Sequence, residues 1–274
     1  MKKKSEEKKS KLRFGSILSK SFDEYKLNFK SIFKFIFLLV GVPYILFTLV
    51  QIIFMSVDPN VLSIMSSPEM LNEVDTGLLE FPLYYTLTNF LFTILNLFLG
   101  VLISAGLLST ALSKSKFSFK ELMQNGKSTY WKFFGFSLVL MIFVLLLTLL
   151  LIIPGLIFGI YWIFAACIFL EKKENIKNSL KKSKEMVKGR WWKTFGFYLL
   201  LGLVMIGIVI VASIVNIPSV IVMMIHTLNG TQFGIGLLIT NSILSMVYDF
   251  LVSLIGIPLS VLFIKNFYFE MKKK

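Results

Sequence analysis

Residues 152–170 read I-I-P-G-L-I-F-G-I-Y-W-I-F-A-A-C-I-F-L, and residues 171–197 continue E-K-K-E-N-I-K-N-S-L-K-K-S-K-E-M-V-K-G-R-W-W-K-T-F-G-F. Three events follow in order. A Pro-Gly pair interrupts an apolar run, a second apolar run follows, and a lysine-rich segment leads through paired tryptophans into a third. Runs of about 20 apolar residues cross the roughly 30 Å hydrocarbon core of a bilayer as helices. The stretch therefore reads as a membrane hairpin joined to a basic surface segment.

The whole chain repeats that theme. Of its 274 residues 56% are hydrophobic, and the mean hydropathy is +0.78. Soluble domains sit nearer 45–50% apolar and lack long charge-free runs. The fold class expected is all-α: a polytopic helical bundle with six transmembrane helices. The spans are placed at Phe35–Met55, Asn89–Leu112 (or from Leu83), Phe133–Ile153, Leu156–Leu170, Phe195–Val215 and about Leu237–Ile264. Residues 1–34 form a basic N-terminal segment, 35–269 the membrane domain and 270–274 a basic tail. Pro43, with Gly41, predicts a kink in the first span, and Pro258 one in the sixth. Pro154-Gly155 is read as the hairpin turn. Only 15 residues remain for the fourth span, so a re-entrant hairpin is the alternative; both versions return the chain to the same side.

Charge placement sets orientation. The net charge is +14, from 29 lysines and arginines against 15 carboxylates. With the loops assigned alternately to two sides, every lysine and arginine falls on the side of the N-terminus, and none falls in 56–82, 154–155 or 216–232. The positive-inside bias makes that side the cytoplasm. A multi-pass protein of the plasma membrane with both termini cytoplasmic is expected. The charge is thus assigned to topology and anionic lipid, not nucleic acid. The loop 56–82 carries Asp58, Glu69, Glu73, Asp75 and Glu80 without a ligand spacing.

Near the start, Phe14, Ile17, Leu18 and Tyr25 recur at helical spacing with Lys20 and Lys26 off the stripe. This predicts an amphipathic helix able to lie in the headgroup layer. In 171–193, Ile176, Leu180, Ser183 and Val187 share one face while Lys177, Lys181, Lys184 and Lys188 point the other way. Lys181, Lys184, Lys188, Arg190, Trp191, Trp192 and Lys193 form the expected interface for anionic lipid, with indoles at headgroup level. Similar lead-ins, Tyr130-Trp131-Lys132-Phe133 and Phe29-Lys30-Ser31-Ile32-Phe33, precede the third and first spans. They predict three repeats of a surface helix followed by a two-span hairpin. The basic segment 113–132 is read as containing a short apolar-spaced piece, Phe119, Leu122 and Met123, followed by an Asn125-Gly126 turn.

Inside the spans, Asp249 is the one deep formal charge, and a buried ionisable group defaults to a functional hypothesis. Asn241, Ser245 and Asp249 share a face at four-residue spacing, and Asn96 joins them as a polar residue of the second span. No metal, cofactor or catalytic motif is present: one cysteine, Cys167, and one histidine, His226, exclude thiolate or histidine clusters. The reading is a non-enzymatic membrane protein in membrane organisation or partnered with other membrane proteins. The alternative is a small-solute transporter or channel using Asp249 and the polar residues of spans two and six.

The run I-P-G-L-I-F-G-I-Y-W-I-F-A with S-L-K-K-S-K-E-M-V-K-G-R-W-W-K, and the lead-in S-I-L-S-K-S-F-D-E-Y-K-L-N-F, are similar to the signature of the glycerophosphodiester phosphodiesterase membrane-domain family and the YciC-like integral membrane proteins. The resemblance covers most of the chain. It implies a six-helix membrane domain and defines no activity. Some members carry a fused phosphodiesterase barrel, for which these 274 residues leave no room. An arginine common in that family's fourth span has no counterpart near Tyr161-Trp162.

Overall fold

The computed structural model describes residues 13–67 and 81–273. Of the expected acidic loop only Asp58 falls within them; Glu69, Glu73, Asp75 and Glu80 lie outside, as do Lys2 to Lys4 and Lys274. All described elements are helical. They run α1 (Phe14–Leu27), α2 (Phe29–Ile36), α3 (Val42–Val57), α4 (Pro59–Ser66), α5 (Leu83–Ser113), α6 (Phe119–Leu150), α7 (Ile152–Tyr161), α8 (Ala165–Lys172), α9 (Ile176–Val187), α10 (Trp191–Ser213), α11 (Ile217–Leu228) and α12 (Ile235–Lys272). Among the described residues six helical segments are long and apolar enough to cross a membrane: Phe29–Val57, Leu83–Ser113, Phe119–Leu149, Ile152–Lys172, Trp191–Leu228 and Ile235–Lys272. The protein is an all-α polytopic bundle.

Proline chemistry explains the breaks. Pro43 has no N–H to return to Leu39, and the chain opens into a π-turn over Phe37–Gly41 immediately before it. The glycine there is needed, because a Cβ at Gly41 would lie 2.9 Å from the Phe37 ring. Pro218 occupies the start of α11, after a 3-10 turn at Ile214–Asn216. The expected loop 216–232 is therefore mostly helix, because proline is tolerated in a first turn where its N–H has no intrahelical partner. Pro258 stays inside an unbroken α12 of 38 residues, about 57 Å long at 1.5 Å per residue.

Two further expectations are corrected. Asn125-Gly126 makes no turn; it lies inside α6, which runs unbroken from a capping box of Ser118 and Glu121. The glycine is there for packing, since a Cβ at Gly126 would meet Leu102 at 3.2 Å and the Gly106 Cα at 3.3 Å. Only the first and third basic lead-ins are thus separate helices. The hairpin reverses at Leu151 (φ −159°, ψ 125°), and Pro154-Gly155 falls in the first turn of α7. A Cβ at Gly155 would sit 2.2 Å from the Thr148 hydroxyl oxygen, so this glycine lets α7 close onto α6. Ring contacts Phe143–Trp162 and Phe136–Phe169 continue that antiparallel pairing.

The core forms where α5, α6 and α12 meet the short helices. One cluster joins Ile17, Ala105, Phe133, Phe136, Phe164, Ile168, Val187 and Phe267. A second joins Ile32, Phe35, Ile36, Leu107, Leu122 and Leu262. A third, at the other end, joins Met55, Val61, Phe233 and Leu238. The α5–α6 crossing turns on Gly106, where a Cβ would lie 2.7 Å from the Leu122 carbonyl oxygen and 2.9 Å from the Phe35 ring. Gly106→Ala is expected to cost about 1–3 kcal/mol by overpacking. Gly100→Ala, whose Cβ meets nothing within 4 Å, should leave thermal unfolding in detergent unchanged.

Candidate functional site

Three polar features stand out against this apolar scaffold. The first ties the two ends of the chain. Helix α1 buries Ile17, Ser21 and Glu24 against α12, and the other residues of its apolar stripe, Phe14, Leu18 and Tyr25, are half-buried. Lys265 Nζ lies 2.5 Å from Glu24 Oε2, and both residues are nearly inaccessible, at 3% and 8% exposure. Asn266 Nδ2 donates to Ser21 Oγ at 3.1 Å and to Glu24 Oε2 at 3.3 Å. One turn on, Asn28 donates to the carbonyls of Glu24 and Ser115 and accepts the Phe117 N–H, each at 2.8 Å. A fully buried asparagine thus pins the α1–α2 junction to the α5–α6 connection. On the neighbouring face Glu171 accepts from Tyr268 and Lys272, tying α8 to α12. The sequence reading missed this network. Glu24 flanks a basic helix and reads as a solvated charge, and its partner is 241 residues away.

The second feature is the set of polar residues inside the spans. Asn241 Oδ1 accepts the Ser219 hydroxyl at 3.0 Å. Ser245 and Asp249 continue the same face of α12, half-buried, and Tyr44 of α3 lies within electrostatic reach of Asp249. Asn96 is not brought into a bond with them; its amide donates to the Phe92 carbonyl of its own helix. Gln51, passed over as a mild exception in the sequence, is buried with both amide atoms unpartnered. Gly41 faces Phe250 and Met55 clusters with Leu238, an antiparallel register that sets Gln51 level with Asn241. Asn216 Oδ1 is also buried without a partner. Among the described residues no group of three or more His, Cys, Asp or Glu could hold a metal ion.

The third feature is the basic segment with the hairpin. Helix α9 buries Ser179, Ser183 and Val187 and turns Lys181, Lys184 and Lys188 outward, as its pattern predicts. The Ser183 hydroxyl donates to the Tyr161 carbonyl at 2.7 Å and accepts the Phe164 N–H at 3.2 Å. Lys184 Nζ stands 5.2 Å from the Phe158 ring centroid and 5.7 Å from that of Tyr161, within cation–π range. Trp191 donates its indole N–H to the Ile157 carbonyl at 3.2 Å and stacks on Phe195. Trp192 and Lys193 remain exposed, and Lys193 Nζ lies 5.8 Å from the Phe197 ring centroid. The predicted lipid-facing residues are thus assembled on one unit with α7, while Gly155 lets α7 close onto α6 and Pro154 lies beside it in the first turn of α7. Comparison with family models, curated proteins and solved structures gave no match. The family resemblance therefore rests on the quoted motifs.

The buried pair carries a direct test. Lys265→Met leaves the Glu24 carboxylate buried and unpaired, and should lower stability in detergent by about 3–5 kcal/mol. Adding Glu24→Leu to Lys265→Met removes the orphaned charge and should restore most of that loss. Equal instability of the single and double variants would show that the pair's packing, not its charge, holds α1 in place.

Proposed function

We propose that this integral membrane protein is non-enzymatic and acts in membrane organisation, holding a rigid basic, aromatic face against anionic lipid and partner membrane proteins. The observation that carries the reading is the fixing of that face. Three independent contacts to α7, from Ser183, Lys184 and Trp191, set the direction in which Lys181, Lys188, Trp192 and Lys193 project. A loop that only set topology would need charge, not geometry. Basic residues near an anionic surface contribute about 1 kcal/mol each. By the positive-inside bias the face is cytoplasmic, as are both termini, in the plasma membrane. Support for a non-enzymatic role comes from the dispersal of the titratable groups. Glu24 is tied to Lys265, Glu171 to Tyr268 and Lys272, and Asp249, within electrostatic reach of Tyr44, lies in another part of the bundle.

A second reading, small-solute transport, is favoured by the unpartnered Gln51 amide level with Asn241. Buried polar groups are nearly always satisfied, and an orphaned amide in a span is where a passing solute would bond.

Two measurements separate the readings. In vesicles of mixed phosphatidylglycerol and phosphatidylcholine, energy transfer from tryptophan to a labelled phosphatidylglycerol should show anionic lipid enriched around the protein. Neutralising Lys181, Lys184, Lys188 and Lys193 to glutamine should return the signal to the bulk composition. Solute flux that is lost in Asp249→Asn or Gln51→Leu, with the enrichment intact, would instead establish transport. In a Cys167→Ser background, single cysteines at Ser63 and Thr231 should label from outside intact cells and one at Ser128 should not. A cysteine at Leu151 should label from outside as well, as two crossing arms require; labelling from neither side would make the hairpin re-entrant.

A further inference from the structure

Three hollows adjoin at the start of α10, sharing wall residues. The largest, about 690 Å³, lies between α6, α7 and α10 and is lined by Thr148, Gly155, Gly159, Gly202, Leu203 and Ile206 among others. It shares Leu156 and Phe195 with a hollow of about 540 Å³ walled by Trp191, Trp192 and Tyr161. That one shares both tryptophans with a third, of about 420 Å³, formed by Gly189 to Lys193. Together they make one groove, apolar along its length and basic at one end.

Two of the glycines that line it serve no packing between helices. Glycines in membrane helices ordinarily let backbones approach, as Gly106 and Gly155 do here. Yet a Cβ at Gly159 or Gly202 would meet nothing within 4 Å. The space above them is empty of protein. Its length is also informative. From Phe195 to Ile206 is eleven residues, about 16 Å of helix, close to half of the roughly 30 Å hydrocarbon core. The groove is one leaflet deep, and its basic end lies where a headgroup attached to a chain of that length would sit.

We propose that the groove holds one anionic glycerophospholipid, with its phosphate at Arg190 and Lys193 and an acyl chain laid along α10 over Gly159 and Gly202. Hydrocarbon is what a bilayer supplies to a lipid-facing apolar channel, and the charge of the rim selects an anionic headgroup over a zwitterionic one. The proposal rests on the reading that this face engages anionic lipid, and narrows it from an attracted layer to a single held molecule.

The test is native mass spectrometry of the full chain, extracted in mild detergent from nanodiscs of mixed phosphatidylglycerol and phosphatidylcholine. Wild type should retain one phosphatidylglycerol per chain. The pair Gly159→Ala and Gly202→Ala should fold and retain it, since the added Cβ atoms have room. Leucine at both positions fills the groove, and overpacking of that size should cut retention about tenfold or more. Arg190→Gln with Lys193→Gln should erase the preference for phosphatidylglycerol over phosphatidylcholine. Retention unchanged in the leucine pair, whose folding the alanine pair and the thermal midpoint check, overturns the groove. So does a wild-type protein that holds both lipids equally. A dimer that the leucine pair dissociates would assign the groove to a second copy instead, and overturn it too. Loss of the held lipid with energy-transfer enrichment intact separates the groove from the surface reading. Absence of both fails the two together.

Discussion

The buried pair between Glu24 and Lys265 is the constraint on which the rest of the bundle depends. Burying two charges costs several kcal/mol per ion, which the mutual attraction repays only with good geometry and further hydrogen bonds. Asn266 supplies one such bond, to Glu24, and its amide is itself held by the Ser21 hydroxyl oxygen. Net stability is not what such a pair gives most; it gives register. A shift of α1 along α12 would strand a buried carboxylate. With α1 set, Asn28 fixes the connection from α5 to α6, and α6 carries the hairpin. The basic end of α12 therefore gathers both ends of the chain and, through Tyr268 and Lys272, the end of α8.

The apolar helices were legible because the signal is local and long. Six segments emerged from hydropathy alone, and the Pro43 kink followed from a missing N–H. What remained hidden depends on partners. Asn125-Gly126 looks like a turn, and only the approach of Gly106 shows why a glycine belongs inside α6. Glu24 sits in a helix with charged neighbours, and nothing within 20 residues marks it as buried. Residues 217–228 carry a proline, which sequence reasoning took as the start of a loop and the structure uses as the first turn of α11. The α9 face was read correctly because its lysines and its small buried residues separate cleanly at helical period.

The candidate sites divide the same way. Asn241, Ser245 and Asp249 were found by spacing along one helix, which needs no tertiary knowledge. Their relation to Gln51 was not, because it depends on the antiparallel register of α3 against α12. Asn96 looked equivalent to them by composition, yet its amide is spent on its own backbone, the usual fate of a lone polar residue in a membrane helix.

The tie between Trp191 and Ile157 joins the hairpin to the groove. A hairpin that crossed the bilayer upright would carry its tip about 30 Å from the entry of α10. Here the reversal at Leu151 is six residues from Ile157, about 9 Å of helix, and the Ile157 carbonyl is held by the indole at that entry. The hairpin is therefore tied to the entry of α10 close to its reversal, and its second arm, 21 residues with a break at Trp162–Phe164, is long enough to cross. That tie brings α7 alongside α10, where Gly155 and Gly159 line the groove. The same Pro-Gly run that organises the sequence thus shapes the largest of these apolar hollows, with Gly155 closing α7 onto α6 and Gly159, one turn on along the same face, leaving space beside it.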